Sequence, residues 1–367
     1  MDVSQRIRPH GSAVALSESE SAALPASGAE PVGRRRAFGG NILLIIFGVD
    51  VVFVLLSQFA LGTHLLGRSS LSTVTPVLGV LVLVSLAQGI VIGTGGIDLS
   101  IPATVTLVGT IVLKASNGAN SGIGTAMVTA LVACVVIGLV NGLLVEAFRL
   151  NALVVTLATG QLIGGVTRLY RGPVPSVSNV PPAVADFASH SWGGVSLILF
   201  LALALVAVLW LVLNQTVPGR VLVASSASTR AATLAGLRAR TYRIAAWVLA
   251  TVVCGFAAVL LSGQIGSPDL TLGDPYLLST VVAVVLGGAI LSGGRVSPVG
   301  IALGAVFISV LNQDLQVRGY STGVAQIAQG AVLGVGLALL GWVRSRRGAP
   351  PLMRLRRRND AAAGKTA

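Results

Sequence analysis

Two short runs in this chain join paired glycines to a hydroxyl or carboxyl side chain and a nearby proline. The first is Thr94, Gly95, Gly96, Ile97, Asp98, Leu99, Ser100, with Pro102 just beyond; the second is Ser292, Gly293, Gly294, Arg295, with Ser297 and Pro298. Each follows one apolar run and leads into another. Such backbone suits no bond-making chemistry; at membrane depth it is tolerated only where protein buries it or where it lines an aqueous cavity. The runs recur about 198 residues apart and read as a degenerate internal repeat, which in a two-halved membrane protein points toward a central pathway. Asp98 precedes Ser100 by two residues, so it either caps the following helix or gates the pathway.

Uncharged polar residues on the apolar runs, Gln88, Asn141, Thr156, Thr159, Gln161, Gln326 and Gln329, can hydrogen-bond a neutral polar solute or join one helix to another. The candidate pathway residues are therefore Gly95, Gly96, Asp98, Ser100, Asn141, Thr156, Thr159, Gln161, Gly293 and Gly294. Asp50 lies midway along the first apolar run, where a carboxylate costs about 2.5 to 3.5 kcal/mol on insertion scales. It must face the bundle or a wet cavity, or carry a proton; proton coupling and a plain interhelical hydrogen bond both remain open.

Other chemistries fail on pattern. There is no HExxH, no GxSxG and no Cys/His metal spacing, and His10, His64 and His190 are scattered. The tripeptide Gly364, Lys365, Thr366 lacks the glycine a phosphate loop needs five positions earlier, where Asn359 stands, and Asp98 occupies a glycine position of the dinucleotide fingerprint. No catalytic residue, metal ligand or cofactor is expected in this chain.

The elements that must position these residues are membrane helices. Of 367 residues 54% are apolar and 10% charged, against about 25% charged in soluble domains, and mean hydropathy is +0.87. An all-α polytopic integral membrane protein is expected, with about ten transmembrane helices, some short or broken. The spans fall near 41–61, 73–93, 97–115, 124–147, 151–170, 195–214, 243–263, 278–291, 297–313 and 322–341. The third carries Pro102 and the eighth is too short to cross about 30 Å of hydrocarbon, so either is broken or re-entrant. Gly89/Gly93, Gly138/Gly142, Gly160/Gly164, Gly300/Gly304 and Gly330/Gly334 have the spacing of close helix packing, and Cys134 and Cys254 read as packing residues.

Three regions follow: a polar, disordered N-terminal tail at 1–40, a transmembrane domain at 41–341 and a basic tail at 342–367. The first forty residues have no apolar core of a secretory signal. With the N-terminus inside, 20 of the 25 Lys and Arg fall on inner segments and 5 on outer ones, the bias of a multi-pass protein with both termini cytoplasmic. The net charge of +13 thus serves the lipid bilayer surface rather than nucleic acid. The outer loop at 171–194, with four prolines and Trp192, is either an interfacial connector or a docking segment. The inner loop at 215–242 contains a short basic stretch, Ser225 to Arg240, that can form a helix.

Four stretches carry a family resemblance: Gly95 to Ser100, Asn141 to Val166, Ala231 to Ile244 and Val284 to Ala305. In this order and spacing the chain, over about 40–341, resembles the permease subunit of bacterial ribose-type monosaccharide ABC importers. The resemblance implies a permease homodimer in the bacterial cytoplasmic membrane, a cytoplasmic ABC ATPase that binds ATP and Mg, and an extracytoplasmic sugar-binding protein. It also implies that Arg230, Ala231, Ala232, Leu234, Gly236, Arg238 and Arg240 form the loop that couples to the ATPase. Thr229 and Arg230 stand where the family often has an acidic residue before the paired alanines, and Asn151, Ala152, Leu153 replace its proline-containing pattern. An amino-acid permease of the same class, or a self-sufficient ion-coupled carrier using Asp50 or Asp98, are the alternatives.

Overall fold

The computed structural model describes residues 32–60, 67–172 and 179–346. The chain divides into two units at Asn41 and Ile42, and of the first only the start of a helix is described. The helices are α1 (Val32–Leu55), α2 (Arg68–Thr94), α3 (Ile101–Ala115), α4 (Ile123–Gly142), α5 (Ala152–Arg171), α6 (Pro182–Ser189), α7 (Leu197–Gln215), α8 (Val217–Ala227), α9 (Thr229–Leu234), α10 (Ala239–Ile265), α11 (Tyr276–Leu286), α12 (Pro298–Val317) and α13 (Thr322–Arg346). Among the described residues, six helices are long and apolar enough to cross a bilayer, and four shorter apolar helices accompany them. The chain is a polytopic helical membrane protein. Helix α1 begins at Val32 rather than near 41, so Arg34, Arg35 and Arg36 belong to a helix instead of the expected tail. The rest of that tail and most of the C-terminal tail lie outside the described residues.

Helices α2 and α10 form the centre, packed on α4, α3, α7 and α12. Their approach depends on missing side chains: a Cβ on Gly138 would stand 2.6 Å from the Val248 Cα, and one on Gly304 would meet the Ala283 carbonyl. Bare backbone contact of this kind replaces the hydrophobic drive that lipid removes. Gly330 and Gly334, expected to pack likewise, face open space.

Two of the short helices are short for one reason. Helix α2 ends at Thr94 in a left-handed Gly95 (φ +91°), and the backbone stays non-helical until Ile101, four residues later than expected for the third span. At 15 residues α3 covers about 22 Å. Helix α11 has 11 residues, about 16 Å, roughly half a bilayer. The irregular segment before it descends along α3, where the Gly273 N–H donates to Thr106 Oγ1 at 3.0 Å, and 287–297 follows without helix.

The loops differ from expectation in detail. The loop expected on the inner side is two helices, α8 and α9, broken at Ser228, whose hydroxyl accepts from the Ala231 N–H at 3.2 Å and caps α9. The loop expected on the outer side holds α6 and a hairpin of β1 (Ser191–Trp192) and β2 (Val195–Ser196), with Trp192 on its surface.

Candidate functional site

Five of the residues singled out by type form one buried chain of hydrogen bonds. The Asp98 carboxylate accepts from the Ser100 N–H at 2.8 Å and the Ser100 hydroxyl at 2.5 Å. Asn141 on α4 donates to Ser100 Oγ at 3.0 Å, and Thr159 on α5 donates to Asn141 Oδ1 at 2.8 Å. Thr156, one turn before Thr159, accepts from the Leu99 N–H at 3.0 Å and donates to the Ile97 carbonyl at 3.2 Å. Two peptide groups of the segment beyond Gly95 thus find a partner in Thr156 on α5, as buried backbone requires, while Asn141 on α4 holds the Ser100 hydroxyl. Asp98 forms an Asx turn with Ser100, the residue that precedes α3, and its bonded oxygen is committed there.

The two glycine runs meet. The Gly294 N–H donates to the Gly93 carbonyl at 2.9 Å, and a Cβ on Gly293, itself at φ +87°, would stand 2.9 Å from the Gly95 nitrogen. The repeat therefore places its broken segments back to back at the ends of α2 and α11. Gly96 lies against the Trp247 ring.

Two cavities with mixed polar and apolar walls end on this segment. One, of about 950 Å³, lies at the end bearing Arg149, Arg230 and Arg243 and reaches Gly95, Gly96 and Ile97. The other, of about 620 Å³, opens among α11, α12 and α13 and is lined by Ser279, Asn312, Gln316, Tyr320, Thr322 and Gln326. Ile97 and Leu153 belong to both walls. They are the apolar pair between the cavities, and Asn151 holds Leu153 at the start of α5 by capping its N–H at 2.9 Å.

Other expected residues fall elsewhere. Gln161 is exposed on α5, outside the hydrogen-bond chain, and lines a third cavity of about 270 Å³ with Thr106 and Asp274. Gln329 is buried between Ser279 and Asn312, bonding helix to helix. Gln88 is wholly buried in α2 with no hydrogen-bond partner, and both Asp50 oxygens are likewise buried and unbonded. Of the loop residues, Arg230 and Leu234 line the larger cavity, Ala232 is buried, Arg238 and Arg240 are exposed, and Gly236 ends α9 at φ +76°.

Sequence reasoning passed over Glu146, Arg243 and Trp247. Arg243 donates to both Glu146 oxygens, at 2.6 and 3.0 Å, and to Thr229 Oγ1 at 3.0 Å. The Trp247 indole N–H reaches the same carboxylate at 3.3 Å. The available signal was an acidic residue, Glu146, at the end of an apolar span and close to Arg149.

Residues 70–335 match the family described as branched-chain amino acid transport system / permease component. The autoinducer 2 import system permease protein LsrD of Photorhabdus laumondii is 32% identical over 256 residues, covering 68% of this chain and 77% of that protein. The LsrD of Salmonella typhi is 30% identical with the same coverage. The fructose import permease protein FrcC of Rhizobium meliloti is 29% identical over 312 residues, covering 81% of this chain and 85% of its own length. No solved structure matches the chain.

Proposed function

This chain belongs to the permease-component family of branched-chain amino acid transport systems, and we propose that it is the membrane permease of an ATP-driven importer for a ribose-like monosaccharide. The observation that carries the reading is the pair of cavities sharing Ile97 and Leu153 as their common wall. A broken helix held by side-chain hydrogen bonds is an element with two accessible arrangements, and exchanging them opens one cavity while closing the other.

The lining supports a choice of cargo. The cavity among α11, α12 and α13 offers amides and hydroxyls, with Asp274 as its one charged residue. That suits a neutral polyol: Asp274 can pair with an ammonium, but no Lys or Arg among the described residues lines the cavity to meet the carboxylate of an amino acid. Relatives named for autoinducer 2 and fructose import favour a sugar-like solute. In this reading an extracytoplasmic binding protein delivers it, the permease works as a homodimer, and a cytoplasmic ABC ATPase binds ATP and Mg. The loop from Arg230 to Arg240 rests on that ATPase. The Lys and Arg bias supports a cytoplasmic position for both termini and this loop.

The test is to purify the tagged protein gently from its native membrane, identify co-purifying proteins, and measure uptake of radiolabelled ribose and fructose into proteoliposomes. Recovery of an ATPase and uptake that requires ATP are expected. Uptake by the chain alone down an ion gradient overturns the reading.

A further inference from the structure

We propose that Glu146, Arg243 and Trp247 form the mechanical link that carries movement of the loop helices α8 and α9 into the broken segment at Gly95 and Gly96. The proposal rests on the importer reading. Its contacts run without a gap from one end to the other. Thr229, the first residue of α9, is bonded by Arg243; Arg243 grips Glu146 through two parallel N–H donors; Glu146 accepts from Trp247; and the Trp247 ring lies where a Cβ on Gly96 would be 2.9 Å away.

Three features make this a lever rather than a general brace. Arg243 and Trp247 are four residues apart, on one face of α10, so both follow one carboxylate. That carboxylate sits in the π-helical turn Leu143–Ala147, a local distortion that recurs at functional positions. The fork is also the one ion pair among the described residues, with side chains only 16% and 7% exposed. A bidentate guanidinium fixes direction as well as distance, and a partly desolvated pair is costly to break from one side. A shift of α9 therefore reaches Trp247 as displacement instead of being absorbed by solvent. Trp247 is wholly buried and presses on the backbone where helix α2 ends.

The experiment uses the full complex with its ATPase and binding protein in proteoliposomes, comparing wild type with Glu146→Gln, Arg243→Lys and Trp247→Phe. Two quantities are read: uptake per ATP hydrolysed, with whichever of ribose or fructose the wild type takes up, and maleimide labelling of Leu291→Cys in the larger cavity. Labelling is compared without nucleotide and after trapping with ATP and vanadate. In the variants ATP hydrolysis by the partner is expected to continue while uptake per ATP falls about tenfold, within the range for residues along a coupling network, and the nucleotide-dependent change in labelling is lost. If uptake and hydrolysis fall together with the labelling change intact, the cluster only braces the fold and the proposal is wrong. Arg243→Lys and Trp247→Phe keep charge or ring, so the comparison survives a misfolded Glu146→Gln. Failure of the wild type to couple uptake to ATP removes the importer reading itself.

Discussion

Asn141 is the residue on which the site's hydrogen bonds converge. It spans Ser100 on one side and Thr159 on the other, and it is fully buried. Asn141→Ala removes both bonds, but Ser100 keeps Asp98 and Thr159 keeps the Val155 carbonyl, so the cost is that of the lost hydrogen bonds, about 0.5 to 1.5 kcal/mol each. A lower thermal midpoint in detergent is expected, together with slower uptake. Gly293 makes a sharper case, because its added methyl meets the Gly95 backbone and its φ of +87° is one that L side chains rarely adopt. Gly293→Ala is expected to insert normally and to lose most uptake, whereas Gly334→Ala, facing open space, is expected to match wild type in the same assay.

At the scale of elements, the short helices and the capped ones carry the consequences. Helix α9 has only six residues, too few to stand alone, and depends on its Ser228 cap. Ser228→Ala is expected to destabilise it by about 1 kcal/mol, read as weaker retention of the ATPase during purification. Scrambling 231–240 is expected to abolish retention while membrane insertion, measured by fractionation, is unchanged. Helix α5 is held differently: its Asn151 cap fixes the end that carries Leu153, so Asn151→Ala is expected to increase labelling across the shared wall between the cavities.

For the whole molecule the competing energy sources make opposite demands on Asp50. An ion-coupled carrier needs its carboxylate, and Asp50→Asn would stop transport. In an ATP-driven importer a buried, unbonded carboxylate is dispensable for coupling, so Asp50→Asn is expected to retain ATP-dependent uptake in proteoliposomes. Orientation is tested on intact cells. Cysteines introduced at Ala231 are expected to resist a membrane-impermeant reagent until the cells are opened, while one at Trp192 reacts at once.

Class, periodic apolar runs and breaks were legible in the sequence because the bilayer imposes them locally: a span needs a fixed length of apolar residues, and glycine with proline interrupts a helix wherever it occurs. Asp98, Ser100, Asn141, Thr156 and Thr159 were legible as residue types, since a polar side chain in an apolar run needs a partner. Which partner was not, because Asn141 meets Ser100 across 41 positions and Gly294 meets Gly93 across the two halves. The same limit hid Glu146 and Arg243, 97 positions apart, and sent Gln161 to the exposed face of α5. Sequence by itself determined where the backbone must leave the helix; only packing decided what satisfies it there, because a hydrogen bond depends on distances set by the fold and not by position along the chain.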